Sequence, residues 1–427
     1  MNRLRIGIAG LIIATIVSSA QAQMTLDQCL DRARAFSFKS RTAELALRAS
    51  ALSRDELDKS RLPQVKFGSE LSYAPASGTF GYDPAITDGG QFGGRIGVEQ
   101  SIYDGGARTL KSGQLGVEYN ALKTEKLRTV RDLTFAAEVL FIEALRSQRA
   151  IQLQDQSLAQ LQDYLDLVQR LAKGGGASFT DVLKTQVQLQ SAQRSRQKAQ
   201  ESLSTATYGL AELMGCALDT SFTLAGTLEE LIPKNEQDLA LPSITQNLDI
   251  TLAEFNVHKS TFDIDLAKSE WHPTISAVAD AGVLTSFDNL RLSSPDRAGV
   301  YGYMIGLTME LPILNWGATD LRVQQRQLAT EGLMLQLNDV SRSVNTEYKK
   351  TRLQVNRAGE ALQSIRTSLK SAEDNFVLTK AKYASGGVLS LEVLSAQQML
   401  TDLRLEELET IADVQLLHAK LEQITAR

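Results

Sequence analysis

The sequence contains few of the residues from which catalytic or metal sites are usually built. It has two cysteines, three histidines and eight prolines in 427 residues. His258, His272 and His418 share no metal-ligand spacing, so no metal site is predicted. The sequence also contains no phosphate-binding glycine loop and no nucleophile–base pair. We therefore expect no cofactor, no catalytic residue and no enzymatic activity.

Two further absences limit the partners and the way the chain meets a membrane. A net charge of −5 provides no basic surface, which argues against nucleic acid as a partner. After the N-terminus, no apolar run reaches the roughly 18 residues that a transmembrane helix needs. Cys29 and Cys216 lie far apart in sequence, and they form either one disulfide bond or two buried thiols.

Residues 1–22 have the pattern of a secretory signal peptide. Two arginines precede the apolar run Ile6–Val17, and Ala20-Gln21-Ala22 is a small-x-small cleavage signal. Gln23 stands where a lipoprotein carries its cysteine. The sequence therefore predicts an exported mature chain that begins at Gln23 and is not lipidated.

The mature sequence repeats itself once. A shift of 211 residues aligns the two halves without a gap over about 100 residues. This pattern predicts a first repeat over 23–218, a linker or equatorial segment over 219–243 and a second repeat over 244–427. The aligned pairs include Glu99 with Glu310, Gly106 with Gly317, Gly175 with Gly386, Val182 with Val393 and Leu189 with Leu400.

Long helices are predicted where proline is absent. All eight prolines lie outside 85–232 and 313–427, and proline is excluded from helix interiors. Within these stretches apolar residues recur at alternating steps of three and four, the spacing of coiled-coil packing. We predict helices over 107–173 and 318–384, each about 100 Å long at the rise of an α-helix. Glycine turns end both, and the other predicted helices cover about 180–218, 390–425, 24–60 and 244–271.

Four short segments alternate apolar and polar residues, which favours β-strands. They are 62–73 and 94–103 and their copies 274–284 and 301–311. Their length and single apolar face also suit the strands of a membrane barrel. Four strands cannot close such a barrel, because an open edge in lipid leaves backbone groups unpaired. Three chains would supply twelve strands, so the pattern predicts an oligomeric channel; amphipathic hairpins on a soluble sheet are the alternative.

The strand-to-helix junctions and the helical tips resemble those of the TolC-like outer-membrane efflux proteins. The junctions are Ile102–Arg108 and Ile313–Thr319, and the tips are Gly174–Leu183 and Tyr383–Leu394. The resemblance covers essentially the whole mature chain. It implies a mostly α fold with short membrane β-strands: a homotrimeric, twelve-stranded β-barrel in outer-membrane lipid, continued by a periplasmic α-helical barrel. It also implies docking to a periplasmic adaptor (membrane fusion) protein and an inner-membrane pump.

The resemblance assigns a closed-state lock to the tips. In the family a threonine and an acid bond to a tyrosine of the other tip, and the matching residues are Thr180, Asp181 and Tyr383. The family's lock arginine aligns with Val388, so either the lock is weaker or a lysine, Lys184 or Lys382, replaces the arginine. Asp181 also fits the ordinary preference for an acid at a helix N-terminus.

The resemblance also assigns a pore constriction and docking turns. The family narrows its pore with aspartate rings, and Glu392 and Ser395 occupy those positions. Glu392 keeps one acidic ring, which favours cations, although an acid in the first turn of a helix is the alternative. Ser395 removes the charge from the second ring. The turns implied to dock the adaptor consist of Gly174, Gly175, Gly176, Ser385, Gly386 and Gly387.

The function implied is that of a passive exit duct in a tripartite export system. Its cargo would be small molecules such as drugs and toxic compounds. Type I protein secretion, with an ABC exporter as the pump, is the alternative within the same architecture. A periplasmic adaptor and a coiled-coil structural protein are remoter alternatives, because the former has one helical hairpin and the latter needs no alternating strands.

Overall fold

A computed structural model describes residues 23–74, 89–216, 223–231, 247–287 and 300–425. The predicted signal peptide and most of the predicted linker lie outside these residues. The helices are α1 (Leu26–Phe36), α2 (Phe38–Lys59), α3 (Ala107–Lys173), α4 (Phe179–Leu213), α5 (Leu248–Ser269), α6 (Ala318–Ala384) and α7 (Ser390–Thr425). The strands are β1 (Gln23–Met24), β2 (Gln64–Ala74), β3 (Gly89–Asp104), β4 (Thr223–Leu224), β5 (Thr274–Phe287) and β6 (Val300–Glu310).

The fold is mostly helical, as predicted. Helices α3 and α6 are each 67 residues long and have the predicted bounds. None of the helices in the described ranges carries an apolar stretch long enough to cross a membrane.

Each long helix ends in a left-handed glycine turn. Gly175 has a φ of 75° and Gly386 a φ of 78°. Residues other than glycine rarely adopt such positive φ values. The next residue closes each turn: Gly176 N–H donates to the Leu171 carbonyl at 2.8 Å, and Gly387 N–H donates to the Lys382 carbonyl at 2.9 Å. These bonds satisfy carbonyls at the helix C-termini. The predicted helical hairpins α3–α4 and α6–α7 are confirmed.

The predicted helix over 24–60 is wrong in one respect, because it is divided at Ser37. Thr25 caps α1 through a capping box with Gln28. Ser37 is extended, with φ −61° and ψ 134°, and its N–H bonds back to the Ala33 carbonyl. No proline or glycine marks the break, so the sequence offered no signal for it.

One antiparallel sheet contains the four predicted strands in the order β2-β3-β5-β6. The central pairing of β3 with β5 joins the two repeats, and a register shift lies between Ser101 and Tyr103. The predicted strands exist, but β3 begins at Gly89 rather than at residue 94 and β5 continues to Phe287. Glycines at the start of β3 weaken the alternation there, which explains the shorter prediction for that strand. Strands β2 and β6 are the outer strands of the sheet.

The register gives the sheet two different faces. Phe67 lies opposite Ile96, and Ile305 lies opposite Ala279, so apolar side chains share one face. On the other face Lys66 forms an ion pair with Glu99, at 3.1 Å. The charged face also contains Arg95, Asp280, Gly68, Gly97, Gly282 and Gly302.

A second, small sheet was not predicted. Strand β1 pairs in parallel with β4, so that Gln23 lies beside Thr223 and Met24 beside Leu224. This pairing ties the start of the described chain to the predicted linker. Two-residue strands are too short for a periodic pattern, which is why the sequence gave no indication of them.

Contacts divide the chain into two compact units, and each contains parts of both repeats. Among the described residues, the first unit comprises 23–38, 132–216, 223–231 and 349–423. The second comprises 39–74, 89–131, 247–287, 300–348 and 424–425, and it contains the four-stranded sheet.

Candidate functional site at the helical tip

The described residues contain no cluster of metal-ligating side chains: no group of His, Cys, Asp and Glu among them could hold a metal ion. Cys29 and Cys216 are free thiols rather than a disulfide, and Cys29 is buried as expected whereas Cys216 is only half-buried. Burial raises the pKa of Cys29 to about 11.

Helices α3, α4, α6 and α7 meet in a hydrophobic cluster behind the two glycine turns. Because all four contribute to it, the cluster joins the two helical hairpins. We call it the tip core. It consists of Leu161, Tyr164, Leu165, Val168, Val182, Ala192, Ala372, Phe376, Tyr383, Val393, Leu394, Ala396 and Leu400.

Thr180 and Asp181 lie in the first turn of α4. Ser178 is the N-cap, and its hydroxyl accepts from the Thr180 N–H at 3.2 Å. The Asp181 carboxylate accepts from the Ser178 N–H at 3.4 Å and completes a capping box. Thr180 is exposed and Asp181 is half-buried. Asp181 therefore has the helix-start role that the sequence offered as an alternative, whether or not it also acts in a lock.

Tyr383 lies inside the tip core, with 7% of its surface exposed. Its ring packs against Tyr164, with centroids 5.4 Å apart and planes tilted by 58°. Its hydroxyl is buried without a hydrogen-bond partner among the described residues. Burial raises the pKa of Tyr383 and the charge of Asp181 adds to this effect, whereas the nearby Tyr164 and Ser390 hydroxyls oppose it. No hydrogen bond joins Asp181 to Tyr383 within the described chain, so the lock stays a prediction.

Tyr164 and Ser390 form a buried contact that the sequence did not predict. The Tyr164 hydroxyl donates to Ser390 Oγ at 2.9 Å. Ser390 is the first residue of α7, directly after the second tip turn. The only signal in the sequence was a polar hydroxyl at Tyr164 within the apolar stripe of α3.

Further polar contacts continue along the seam between α3 and α7. Gln397 Nε2 donates to Gln160 Oε1 at 2.9 Å. The hydroxyls of Ser157 and Thr401 lie 3.3 Å apart. Together with the Tyr164–Ser390 contact, these form a line of polar layers between the two hairpins.

Glu392 and Ser395, the predicted constriction residues, are both exposed on α7. Glu392 lies in the first turn of the helix. Ser395 lines a surface groove of about 630 Å³ between α4 and α7, together with Thr180 and Lys184. The structure thus brings Ser395, Thr180 and Lys184 to one groove, whereas Glu392 is not among the residues that line it.

The two lysines proposed to replace the missing arginine are exposed. Neither Lys184 nor Lys382 makes an ion pair with another described residue. Val388 packs against the tip core. The predicted docking turns are exposed at Gly174, Gly175, Gly176, Ser385, Gly386 and Gly387.

The duplicated hairpins, the two-faced sheet and the paired tip turns match a known family. The chain matches the sequence profile of the outer membrane efflux proteins over residues 29–216 and 243–427. It belongs to that family. The family and its fold are those of passive outer-membrane channels, not of enzymes. Its members lie in the outer membrane and extend into the periplasm, as the resemblance implied for this chain.

Two relatives match part of the chain. The proteases secretion protein PrtF of Dickeya chrysanthemi is 24% identical over 295 residues, which cover 67% of this chain and 62% of the relative. The alkaline protease secretion protein AprF of Pseudomonas aeruginosa is 22% identical over 318 residues, which cover 71% of this chain and 63% of the relative. The chain thus spans less than two thirds of the length of either relative.

A solved structure shows the same fold. The outer membrane protein VceC of Vibrio cholerae superposes with a TM-score of 0.75 at 15% sequence identity. The match covers 94% of this chain and 95% of VceC. This agreement confirms the predicted fold of duplicated strands and long helical hairpins.

Proposed function

We propose that this protein is the outer-membrane exit duct of a tripartite export system, through which cargo passes without being chemically changed. The observation that carries the proposal is the two-faced sheet. One face exposes Phe67, Ile305 and Leu307, whereas the opposite face carries charged residues and glycines. Such a division suits a barrel wall with lipid on one side and water on the other.

A homotrimer would complete the duct. Four strands with two outer edges leave backbone groups unpaired, which is unfavourable in lipid. Three copies supply twelve strands and close the wall. Helix α6 supports this, because Leu321, Leu328 and Leu335 are exposed at intervals of one heptad, which suits packing against a second copy.

The tip turns are the proposed docking site for a periplasmic adaptor. Both turns are exposed and lie at the ends of helical hairpins, so a partner could contact them without unfolding a helix. In this arrangement an inner-membrane pump or an ABC exporter supplies the energy for transport.

The tip also carries the proposed selectivity and closure. Three copies of exposed Glu392 would place three carboxylates near the mouth, which favours cations, whereas Ser395 adds no charge. Tyr383 has a buried hydroxyl without a partner in the described chain, and the Asp181 charge acts on it. A small movement of the tip in the assembled trimer would let Thr180 and Asp181 form the lock with Tyr383.

The proposed cargo is a small molecule, such as a drug or toxic compound. Secretion of a polypeptide is the second candidate, and it is favoured by the names of PrtF and AprF. Deleting the gene in its host and measuring both drug sensitivity and the secreted proteins separates the two. Increased sensitivity with an unchanged set of secreted proteins supports small-molecule efflux, whereas loss of a secreted protein alone supports type I secretion.

Single-channel recording of the purified protein in planar bilayers tests the duct itself. Discrete ion-conducting steps are expected, and their absence from correctly assembled protein would contradict the proposal. Glu392→Gln should lower the preference for cations. Glu409→Gln, which changes another exposed acid of α7, should not.

A further inference from the structure

Two tyrosines in the tip core come from different hairpins. Tyr164 belongs to α3 and Tyr383 to α6, and both are nearly inaccessible to solvent. The repeat does not copy them: a shift of 211 residues places Asn375 at the position of Tyr164 and Ala172 at that of Tyr383. The contact therefore exists once per chain and distinguishes the two hairpins.

The two hydroxyls differ in their partners. The Tyr164 hydroxyl donates to Ser390 Oγ at 2.9 Å and lies 3.4 Å from the Ser390 carbonyl. The Tyr383 hydroxyl has no hydrogen-bond partner among the described residues. The hydroxyl of Tyr164 is thus the one that joins the first hairpin to the start of α7.

The bond lies at the start of α7, so a movement that separated the start of α7 from α3 would break it. Ser390 follows the second tip turn and is only 3% exposed. Separating the start of α7 from α3 would leave two hydroxyls in an apolar core without partners until water reaches them, and a buried polar group without a hydrogen bond is destabilising. The bond is also directional. It therefore favours one register of α3 against α7 more strictly than apolar packing alone would.

The protonation state of Tyr164 suits a donor. Burial raises the pKa of Tyr164 well above its usual range. The hydroxyl therefore keeps its proton at every pH at which the protein would work.

We propose that the Tyr164–Ser390 hydrogen bond is a latch that holds the second tip turn against the first hairpin in the closed state. The latch rests on the proposed duct function, since it needs a tip that opens. It is separate from the predicted lock, because it uses neither the Asp181 carboxylate nor the Tyr383 hydroxyl. Tyr164 acts as a positioning residue that controls passage without touching cargo.

Tyr164→Phe tests the latch with little change in packing, because it removes one oxygen and keeps the ring. In the full-length protein in planar bilayers, we expect the open fraction to rise by a factor of about 2–12, the range given by the net contribution of one hydrogen bond. Ser390→Ala should give a similar rise. The double variant should equal either single variant, since both remove the same bond.

Tyr348→Phe is the matched control. Tyr348 is also buried, lies on α6, and makes no side-chain hydrogen bond within the described residues. Its variant should conduct like the parent. Thermal unfolding of all variants is measured in parallel, because a purely structural role for Tyr164 would lower stability without changing the open fraction.

The outcomes separate the latch from the duct. If the parent conducts and Tyr164→Phe conducts like Tyr348→Phe, the latch is wrong and the duct stands. If the parent shows no conducting steps, the proposed duct function is wrong. The proposed latch is then wrong as well, because it rests on that function. Additive effects of Tyr164→Phe and Ser390→Ala would also overturn the latch, since they would not reflect one shared bond.

Discussion

At the scale of single residues, neighbouring polar side chains of the tip make different hydrogen bonds. Asp181 caps α4 through the Ser178 N–H, while the Tyr164 hydroxyl is bonded to Ser390. The Tyr383 hydroxyl lacks a partner within the described chain, although a buried hydroxyl is normally hydrogen-bonded. A rearrangement of the tip that gave this hydroxyl a hydrogen-bond partner would therefore be stabilised.

Replacing Asp181 by Ala and Tyr383 by Phe together should enlarge the resting conductance. A hydrogen bond between a carboxylate and a tyrosine hydroxyl contributes about 1.5–3 kcal/mol when shielded from water, and less at an exposed tip. Single-channel recording measures the change. Asp163→Ala serves as the control, because Asp163 is an exposed acid of α3 outside any helix start.

A double variant that conducts like this control would show that the lock does not exist at these residues. Asp181 would then act only as an acidic residue in the first turn of α4. Its removal would still reduce the stability of α4, by about 1 kcal/mol or less.

At the scale of elements, α1, α3 and α7 pack together around an unusual carboxyl group. The pKa of Glu138 on α3 is raised to about 7, mainly by burial and also by the charge of Glu422 on α7, while Arg34 on α1 opposes the shift. Because this pKa is above its ordinary value of 4.5, the protonated form is the one that the packing favours. The stabilising effect of the protonated Glu138 side chain is fully present below about pH 4.5 and is lost as the pH rises through about 7.

Glu138→Gln should therefore raise the unfolding temperature at pH 8 by a few degrees Celsius and have little effect at pH 4.5. The amide cannot ionise, so it avoids the cost of a buried charge. Differential scanning calorimetry at several pH values measures this. Glu201→Gln, an exposed position on α4, should leave the pH dependence of the parent unchanged. A Glu138 variant with the same pH dependence as the parent would contradict this role of burial.

At the scale of the whole molecule, the proposed barrel predicts which face of the sheet meets lipid and which faces the lumen. Ile305 and Met304 are neighbours on β6 and point to opposite faces. Ile305 lies opposite Ala279 on the apolar face, and Met304 lies opposite Asp280 on the charged face. Both side chains are exposed in the single chain, at 80% and 57%, so burial within the chain does not distinguish them.

Ile305→Lys should sharply reduce the amount of trimer recovered from the outer membrane. A lysine on the lipid side of a barrel costs about 2–4 kcal/mol near the middle of the bilayer. Met304→Lys is the matched control and should be tolerated, since it would face an aqueous lumen beside Asp280. Native mass spectrometry of detergent-extracted protein measures both. Equal losses for the two variants would contradict the assignment of the faces.

The sequence by itself determined the elements with strong local signals. The bounds of α3 and α6 could be predicted because proline is absent within them and glycine follows them. The four long strands could be predicted because alternation has a period of two, although glycines obscured the true start of β3. The duplication also indicated two hairpins of each kind.

Only the tertiary structure decided which elements meet. Apolar periodicity shows which side of a helix turns inward, but it does not name the helix on the other side. Tyr164 and Ser390 lie 226 residues apart, so their hydrogen bond depends on the folding of both hairpins. The β1–β4 pairing depends on the fold in the same way, because strands of two residues have no period of their own.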